Sequence, residues 1–307
     1  MPGSEAKLLQ QPQHTQIEVK FESDLAACWA FMTPHPRPCF NLRLLDELGA
    51  FIETIKSSCT TGRTGNPVCY GVLASKTPGV FNLGGDLALF RTMILLQDRA
   101  GLLEYGKRCV DNLLGWHRNC DVAMTSIALV QGDALGGGFE AALSATVLIA
   151  EESSRMGFPE ILFNLFPGMG AYSFLSRKIG RRATEEMITS GTIYSARQLY
   201  DLGVIDVLTP DGTGEAAVHG FIRKHSRNMT GRQAFERARN VVSPVTEDEL
   251  LRIVEIWADT ALKLQERDLK VMERLIRAQQ RSTQCVDEDG KLTNVFPMHS
   301  AGVASSC

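Results

Sequence analysis

The sequence predicts an α/β fold with a parallel sheet. Three apolar runs, at residues 68–74, 122–130 and 146–150, are rich in Val, Leu, Ile and Ala and end at turn-forming residues. Such runs are typical of strands buried on both faces. Segments with apolar residues at helical spacing lie between them, and alternation of strand and helix favours parallel pairing.

Composition and charge restrict the class of protein. The chain has 307 residues, of which 44% are hydrophobic and 22% charged, with a formal net charge of −3. This is ordinary for a globular protein with a sizeable core, and it gives no electrostatic reason to bind nucleic acid or a membrane surface. The most apolar stretch, 122–150, is interrupted by Gln131, Asp133 and Glu140, so we expect no membrane span.

The cysteines and the N-terminus indicate a compartment. None of the eight cysteines forms a CxxC pair or lies at metal-ligand spacing from a histidine, so we expect reduced thiols and no metal site. The first sixteen residues contain no apolar segment of signal-peptide length. The chain is therefore expected to be cytoplasmic.

In the N-terminal part, we expect the polar residues 1–15 to be loose. Residues 16–21 alternate at period two and 25–31 form a more apolar run, so both are predicted strands. Three prolines between residues 32 and 39 predict an irregular loop. Asn41 can then cap a helix with apolar residues three and four apart, namely Leu44, Leu45, Leu48, Phe51, Ile52 and Ile55.

Farther along the chain, helical patterns fill 87–119 and return from about residue 175. Thr246 and Glu249 have capping-box spacing and are expected to open one long amphipathic helix that runs to about Gln280. We therefore expect an α/β core at 16–210, a C-terminal helical region at 211–282 and a flexible tail at 283–307.

One glycine-rich segment has the composition of a binding loop. Residues 132–140 read GDALGGGFE, follow a predicted strand and open a predicted helix. Glycines there allow close backbone approach, and the first N–H groups of a helix lack intrahelical acceptors. The segment lacks both the Lys-Ser/Thr of a phosphate loop and the GxGxxG spacing. A tight turn remains an alternative, but stabilisation of an oxyanion is the best use of this arrangement.

Two glutamates occur in apolar surroundings. Glu140 precedes Ala141, and Glu160, twenty residues on, lies between Pro159 and Ile161. Carboxyl groups in apolar segments are usually paired or functional, so the two are candidates for a general acid and base. A helix-capping role is the alternative for each, and either could act as acid or as base.

The motifs together resemble the crotonase (enoyl-CoA hydratase/isomerase) superfamily. Their order and spacing over about 20–280 carry the resemblance: FNLGGDL at 81–87, GDALGGGFE at 132–140, FPE at 158–160 and FPG at 166–168. The resemblance implies a crotonase-like ββα superhelix core with a C-terminal helical region. It also implies that Glu140 and Glu160 are catalytic and that the backbone N–H groups of Gly85 and Gly137 form an oxyanion hole. Retention of both acids favours addition or elimination of water over isomerisation.

Within this family, the chain is most similar to the RpfF group of diffusible signal factor synthases. The similarity lies in PRPCF at 36–40, PGVFNLGGDL at 78–87 and Met169 in PGMG. It implies dehydration of medium-chain 3-hydroxyacyl-acyl carrier protein to a cis-2-enoyl thioester, then hydrolysis that releases a cis-2-unsaturated fatty acid for quorum sensing. It further implies acyl carrier protein as partner, a sensor-kinase regulator, and a homo-oligomer, either a trimer or a dimer of trimers. No cofactor is expected beyond the phosphopantetheine that carries the substrate on acyl carrier protein or CoA.

Two other functions remain open at this point: an enoyl-CoA hydratase of fatty-acid degradation, and a non-catalytic RNA binder with the same fold. The negative net charge and both retained acids count against the RNA binder.

Candidate substrate-contacting residues complete the predictions. Met169, Trp257 and Leu275 are candidates to line an acyl pocket, with ordinary core packing as the alternative. The densest basic cluster could receive an acidic carrier protein or a phosphate, although a solvated face is the simpler interpretation. Its members are Arg177, Lys178, Arg181 and Arg182.

Overall fold

The computed structural model describes residues 14–60 and 68–281, and its larger sheet has six strands. β1 (Ile17–Glu22) pairs antiparallel with β2 (Ala27–Met32), and every other pairing in this sheet is parallel, as predicted. In spatial order the strands are β1 (Ile17–Glu22), β2 (Ala27–Met32), β3 (Tyr70–Ser75), β5 (Thr125–Val130), β7 (Val147–Glu151) and β10 (Val207–Thr209).

A smaller sheet of four short strands lies beyond the ends of the long ones. Its strands in spatial order are β4 (Val80–Asn82), β6 (Asp133–Leu135), β8 (Arg155–Gly157) and β9 (Ile193–Ser195). β4, β6 and β8 follow β3, β5 and β7 along the chain, and a helix follows each of the first two short strands directly. The chain therefore repeats strand, strand, helix, which is the ββα order that the resemblance implies.

The described residues form eleven α-helices and four 3-10 segments. The helices are α1 (Leu42–Thr60), α2 (Leu87–Leu95), α3 (Arg99–His117), α4 (Gly137–Ser144), α5 (Ala171–Ile179), α6 (Arg181–Ser190), α7 (Ala196–Asp201), α8 (Gly214–His225), α9 (Met229–Val242), α10 (Glu247–Ala261) and α11 (Glu266–Arg281). The 3-10 segments are Ser23–Leu25, Asn119–Asp121, Pro159–Phe163 and Ser226–Asn228. Asn41 caps α1 as predicted, because its Oδ1 accepts the Leu44 N–H at 3.0 Å.

Both faces of the larger sheet are covered. Every residue of β2 is buried, since its side chains alternate between the two sides. On one side they join the main core, which includes residues of α1, α3 and α10. On the other side, Trp29 and Phe31 join a smaller core that includes Val218 and Ile222 of α8. No helix of the described chain is long and apolar enough to cross a bilayer.

The prediction of one helix from Thr246 to about Gln280 is wrong. α10 ends at Ala261 and α11 begins at Glu266, where the Gln265 N–H donates to Asp268 Oδ2 at 2.9 Å and so starts a new helix. α10 packs against α3, whereas α11 packs against α2 and the Pro159–Phe163 segment. The break allows the two helices to pack against these different elements.

The predicted capping box is only half formed. The Thr246 hydroxyl accepts the Glu249 N–H at 3.1 Å, but the Glu249 carboxylate binds Ser173 and Arg177 instead of the start of its own helix. The predicted tail at 283–307 and nearly all of the predicted loose N-terminus lie outside the described residues.

Candidate active site

A mainly apolar cavity lies between α1, α3, α10, α11 and the smaller sheet. Its volume is about 110 Å³, against roughly 10–15 Å³ for one water molecule. It therefore has room for an alkyl chain. All seven residues predicted for the site line it: Gly85, Gly137, Glu140, Glu160, Met169, Trp257 and Leu275.

Close backbone approach explains the glycines between β6 and α4. Gly136 has φ +52°, a left-handed conformation that favours glycine, and a Cβ there would lie 2.3 Å from Glu160 Oε1. A Cβ on Gly138 would lie 2.0 Å from the carbonyl oxygen of Asn82 in β4. A side chain at either position would push the start of α4 away from Glu160 or from β4, which both border the cavity.

Two unpaired backbone donors lie side by side in the cavity. Neither the Gly85 nor the Gly137 N–H donates a hydrogen bond to another residue of the described chain. A Cβ built on Gly137 would lie 3.4 Å from the Gly85 nitrogen, so the two amides are neighbours. Preorganised N–H pairs of this kind stabilise the oxyanion that forms when a thioester is enolised.

Hydrogen bonds around the Gly85 loop hold this donor in place. The Phe40 N–H donates to the Gly84 carbonyl oxygen at 2.7 Å, and the Tyr105 hydroxyl donates to the Phe40 carbonyl oxygen at 2.5 Å. Arg37 forms an ion pair at 2.6 Å with Asp86, whose carboxylate caps α2. The residue that follows Gly85 is thus fixed from two sides.

Glu140 lies in the first turn of α4 and is 1% exposed. Its Oε1 accepts the N–H groups of Met169, Gly170 and Ala171, each at 2.9 Å. Burial raises the pKa of Glu140 above its ordinary value, and the three N–H donors offset part of this rise because they stabilise the carboxylate.

Glu160 lies in the Pro159–Phe163 segment, in a different environment. Its Oε2 is buried and has no hydrogen-bond partner within the described chain. Burial, followed by the charge of Glu140, raises the pKa of Glu160 to about 8. At neutral pH Glu160 therefore holds a proton, and Glu140 is the member of the pair whose carboxylate oxygen accepts hydrogen bonds.

The three predicted pocket residues lie around the carboxyl pair. Trp257 packs edge-on against Phe90 with ring centroids 5.1 Å apart, and Leu275 reaches the cavity from α11. Met169 contributes both its side chain to the cavity and its N–H to Glu140. These residues thus form part of the wall of the same cavity that holds the acids.

The basic cluster is largely neutralised by ion pairs. Arg177 pairs with Glu249 at 2.8 Å, Lys178 with Asp206 at 3.0 Å, and Arg181 with Glu185 at 2.8 Å. A paired, solvated face explains these residues better than a receptor for an acidic partner does.

Sequence reasoning missed three polar residues on α3 that line the cavity. These are Tyr105, Asn112 and Trp116. The signal that could have found them is their spacing, because polar or hydrogen-bonding residues at 105, 112 and 116 share one face of a helix with Cys109 and Leu113.

A stability measurement tests the unusual environment of Glu160. Between its ordinary pKa of 4.5 and about 8, the unfolded chain ionises Glu160 while the folded chain keeps it protonated, so this group makes stability fall as pH rises. We expect Glu160→Gln to increase the free energy of unfolding by about 1–3 kcal/mol near pH 8, and to have little effect near pH 5. Urea unfolding at both pH values measures this, and an equal effect at both would contradict the assignment.

Comparison with known proteins identifies what the chain is similar to. A model of the family "Enoyl-CoA hydratase/isomerase" matches residues 29–265. Enoyl-CoA isomerase/hydratase fer4 of Mycosarcoma maydis is 29% identical over 187 residues, which cover 59% of this chain and 64% of fer4. A probable enoyl-CoA hydratase of Rhizobium meliloti is 31% identical over 180 residues, covering 58% of this chain and 70% of that protein.

The chain spans only part of some relatives. It matches 24% of the fatty acid oxidation complex subunit alpha of Pseudomonas syringae pv. tomato, at 29% identity over 60% of this chain.

Solved structures show the same fold. Enoyl-CoA hydratase from Bacillus halodurans has a TM-score of 0.73 at 18% identity, covering 85% of this chain and 100% of that one. Pseudomonas aeruginosa DspI has a TM-score of 0.66 at 21% identity, covering 80% and 98%.

Proposed function

The chain belongs to the enoyl-CoA hydratase/isomerase family, and from that premise we propose that it adds water to 2-enoyl thioesters and, in reverse, removes it from 3-hydroxyacyl thioesters. The observation that carries the proposal is the pair of carboxyl groups, Glu140 and Glu160, in one cavity with two unpaired N–H donors. Moving a double bond requires one group that carries a proton between two carbons. Adding water requires a base for the water and an acid for the α-carbon, which two carboxyl groups provide.

The N–H groups of Gly85 and Gly137 bind the thioester carbonyl oxygen. When water attacks the β-carbon, the electron pair of the double bond moves toward the carbonyl and the oxygen becomes an enolate. Donors already in position stabilise this charge without reorganisation, and each contributes about 3–4 kcal/mol to lowering the barrier.

The two glutamates divide the proton transfers. Glu140, stabilised as an anion by three N–H donors, takes a proton from the attacking water. Glu160, protonated at neutral pH, gives its proton to the α-carbon of the enolate. The product is a 3-hydroxyacyl thioester, and the pair has exchanged one proton between its members. Dehydration runs the same steps backward from the exchanged state.

The cavity favours an acyl chain of medium length. It is mostly apolar and follows α3 from Tyr105 to Trp116, so methylene groups beyond the reacting carbons are buried. Each buried methylene adds about 0.8 kcal/mol. Because relatives are named as enoyl-CoA hydratases and fatty acid oxidation proteins, CoA thioesters are the first substrates to test.

The second candidate is the dehydration of 3-hydroxyacyl-acyl carrier protein with release of a cis-2-enoic acid signal. The extended apolar cavity favours it, because a long chain held inside can fold back so that the elimination leaves a cis double bond. With the carbonyl oxygen held by the same N–H pair, a water molecule attacks the carbonyl carbon, the bond from carbon to sulfur breaks, and the carrier thiol and the free acid are released. The carrier protein, an oligomer and a sensor-kinase regulator belong to this candidate as proposals.

Product analysis separates the two candidates. Purified protein is incubated with crotonyl-CoA and with 3-hydroxydodecanoyl carrier protein, and the products are compared with cis and trans standards. Rapid hydration of crotonyl-CoA, with only a trans-enoyl thioester from the long substrate, supports the degradation hydratase. Free cis-2-dodecenoic acid with slow crotonyl-CoA turnover supports the signal synthase.

The pKa of Glu160 predicts the pH dependence. The active enzyme holds one proton on the carboxyl pair, and this proton is lost as pH rises through about 8. We expect kcat/KM to fall toward tenfold per pH unit above about pH 8. Since hydration involves no net proton, kcat/KM for dehydration must fall in parallel. Rates measured in both directions that stay level to pH 10 would contradict the acid role of Glu160.

A further inference from the structure

The Gly85 donor belongs to a peptide group whose other end is fixed. The Gly84 carbonyl oxygen and the Gly85 N–H share one planar trans peptide, so they point in opposite directions. The Gly84 oxygen accepts the Phe40 N–H at 2.7 Å. This hydrogen bond therefore sets the direction of the Gly85 N–H, although Phe40 is distant in the chain.

The segment that holds this peptide is the PRPCF motif at 36–40, to which the proposed reaction assigns no role. Its two prolines have a fixed φ, which limits the conformations of the segment. The Leu83 N–H donates to the Pro38 carbonyl oxygen at 2.7 Å, and Phe40 pairs with Gly85 in a parallel bridge. The motif thus lies along the loop from Leu83 to Gly85 and supports it.

Tyr105 ties this support to the residue that follows the donor. Its hydroxyl donates to the Phe40 carbonyl oxygen at 2.5 Å and accepts the Asp86 N–H at 3.4 Å. A hydroxyl has one proton to donate, so the backbone takes all of its donor capacity. The ring is 1% exposed and packs edge-on against Phe90, with centroids 4.7 Å apart. Burial raises the pKa of Tyr105, so the hydroxyl keeps its proton throughout the pH range in which activity is measured.

We propose that Tyr105 is a positioning residue of the oxyanion hole: by holding Phe40, its hydroxyl fixes the Gly84–Gly85 peptide so that the Gly85 N–H meets the thioester oxygen. Tyr105 acts through the backbone, and its hydroxyl takes no part in proton transfer. The inference rests on the proposed function, because it concerns a donor of the same site. It also gives the PRPCF motif a role, which is to connect Tyr105 with that donor.

Kinetics of Tyr105→Phe give the first test, since this change removes the hydroxyl but keeps the ring that packs on Phe90. Loss of a whole oxyanion donor lowers kcat by about 10²–10³, and displacement of one donor costs part of this. We expect kcat for hydration of trans-2-decenoyl-CoA to fall about ten- to hundredfold. KM should change less than about threefold, because the donor binds the enolate more strongly than the neutral carbonyl.

A ligand that cannot be hydrated gives a readout that a merely structural role would not move. Bound 3-ketodecanoyl-pantetheine loses an α-proton to the buffer, the electron pair of that C–H bond forms the enolate, and the enolate absorbs at longer wavelength than the keto form. We expect Tyr105→Phe to lower the ratio of bound enolate to bound keto form about tenfold. The Kd of saturated decanoyl-pantetheine should stay within about threefold. Tyr70→Phe is the matched control, since Tyr70 is 3% exposed and lies in the core on the other side of the larger sheet. It should change kcat and the enolate ratio less than about twofold.

The outcomes separate this inference from the proposed function. An enolate ratio that Tyr105→Phe leaves intact, or an equal loss in Tyr70→Phe, overturns the positioning role. If Tyr105→Phe does not fold, amide hydrogen exchange of the unaltered chain decides. The Phe40 amide should then exchange more slowly than the Gly85 amide, and equally fast exchange overturns the inference. Absence of hydration by the unaltered chain, with the enolate effect of Tyr105→Phe present, removes the proposed reaction and leaves the positioning role standing.

Discussion

Replacing either Glu140 or Glu160 with glutamine is expected to lower kcat for enoyl thioester hydration by at least about a hundredfold. Glutamine keeps the size of the side chain, but it can neither take the proton from water nor deliver one to the α-carbon. The double variant should be little slower than either single one, because the two carboxyl groups act in the same proton exchange. Steady-state rates with a medium-chain 2-enoyl-CoA measure all three.

Glu236→Gln is the matched control for this prediction. Glu236 is 4% exposed and lies outside the cavity, where Thr125 and Asn119 donate to its carboxylate. Its replacement should change the hydration rate less than about threefold. Turnover close to normal in Glu140→Gln or Glu160→Gln, with unchanged circular dichroism, would remove the acid/base assignment.

Proline at position 137 is expected to lower hydration by about a hundred- to a thousandfold, since it removes one of the two N–H donors to the enolate oxygen. Gly137 is the first residue of α4, where proline is tolerated, and a Cβ there would have no contact closer than 3.4 Å. Any thioester hydrolysis should fall with hydration, because both reactions develop charge on the same oxygen.

Gly137→Ala separates the lost N–H from the added carbon. Alanine introduces the Cβ but keeps the donor, so it should remain at least tenfold more active than the proline variant. Activities are compared after both variants are shown to fold. Equal losses in the two variants, or loss of only one activity in Gly137→Pro, would contradict a shared oxyanion hole.

Local patterns in the sequence predicted the parallel sheet and the two glutamates, while the roles of Gly85 and Gly137 came from the resemblance to the crotonase family. Apolar strand runs and helical spacing are local patterns, and the glycine segments carry their own backbone requirements. A Cβ on Gly136 or Gly138 would lie less than 2.5 Å from a neighbouring atom, so only glycine fits at either position. This constraint explains why glycines recur in this segment of the sequence.

Other features depend on contacts distant in the chain and could not be predicted. The break after Ala261 arises because α10 and α11 pack on different elements, although their apolar stripe is continuous in sequence. The division of roles that we propose for Glu140 and Glu160 rests on three N–H donors at the start of α5, about thirty residues beyond Glu140. Tyr105, Asn112 and Trp116 could be assigned to the cavity only once the packing of α3 was known.

The central claim is that the two carboxyl groups add water across the double bond of an enoyl thioester. The most direct test is to incubate the purified protein with trans-2-decenoyl-CoA in deuterated water and to identify the product by mass spectrometry and nuclear magnetic resonance. We predict a 3-hydroxyacyl thioester with one deuterium at the α-carbon, delivered by Glu160, and none of it from Glu160→Gln above about one per cent of the native rate. A product in which the double bond has only moved along the chain, with no oxygen added, would contradict the account.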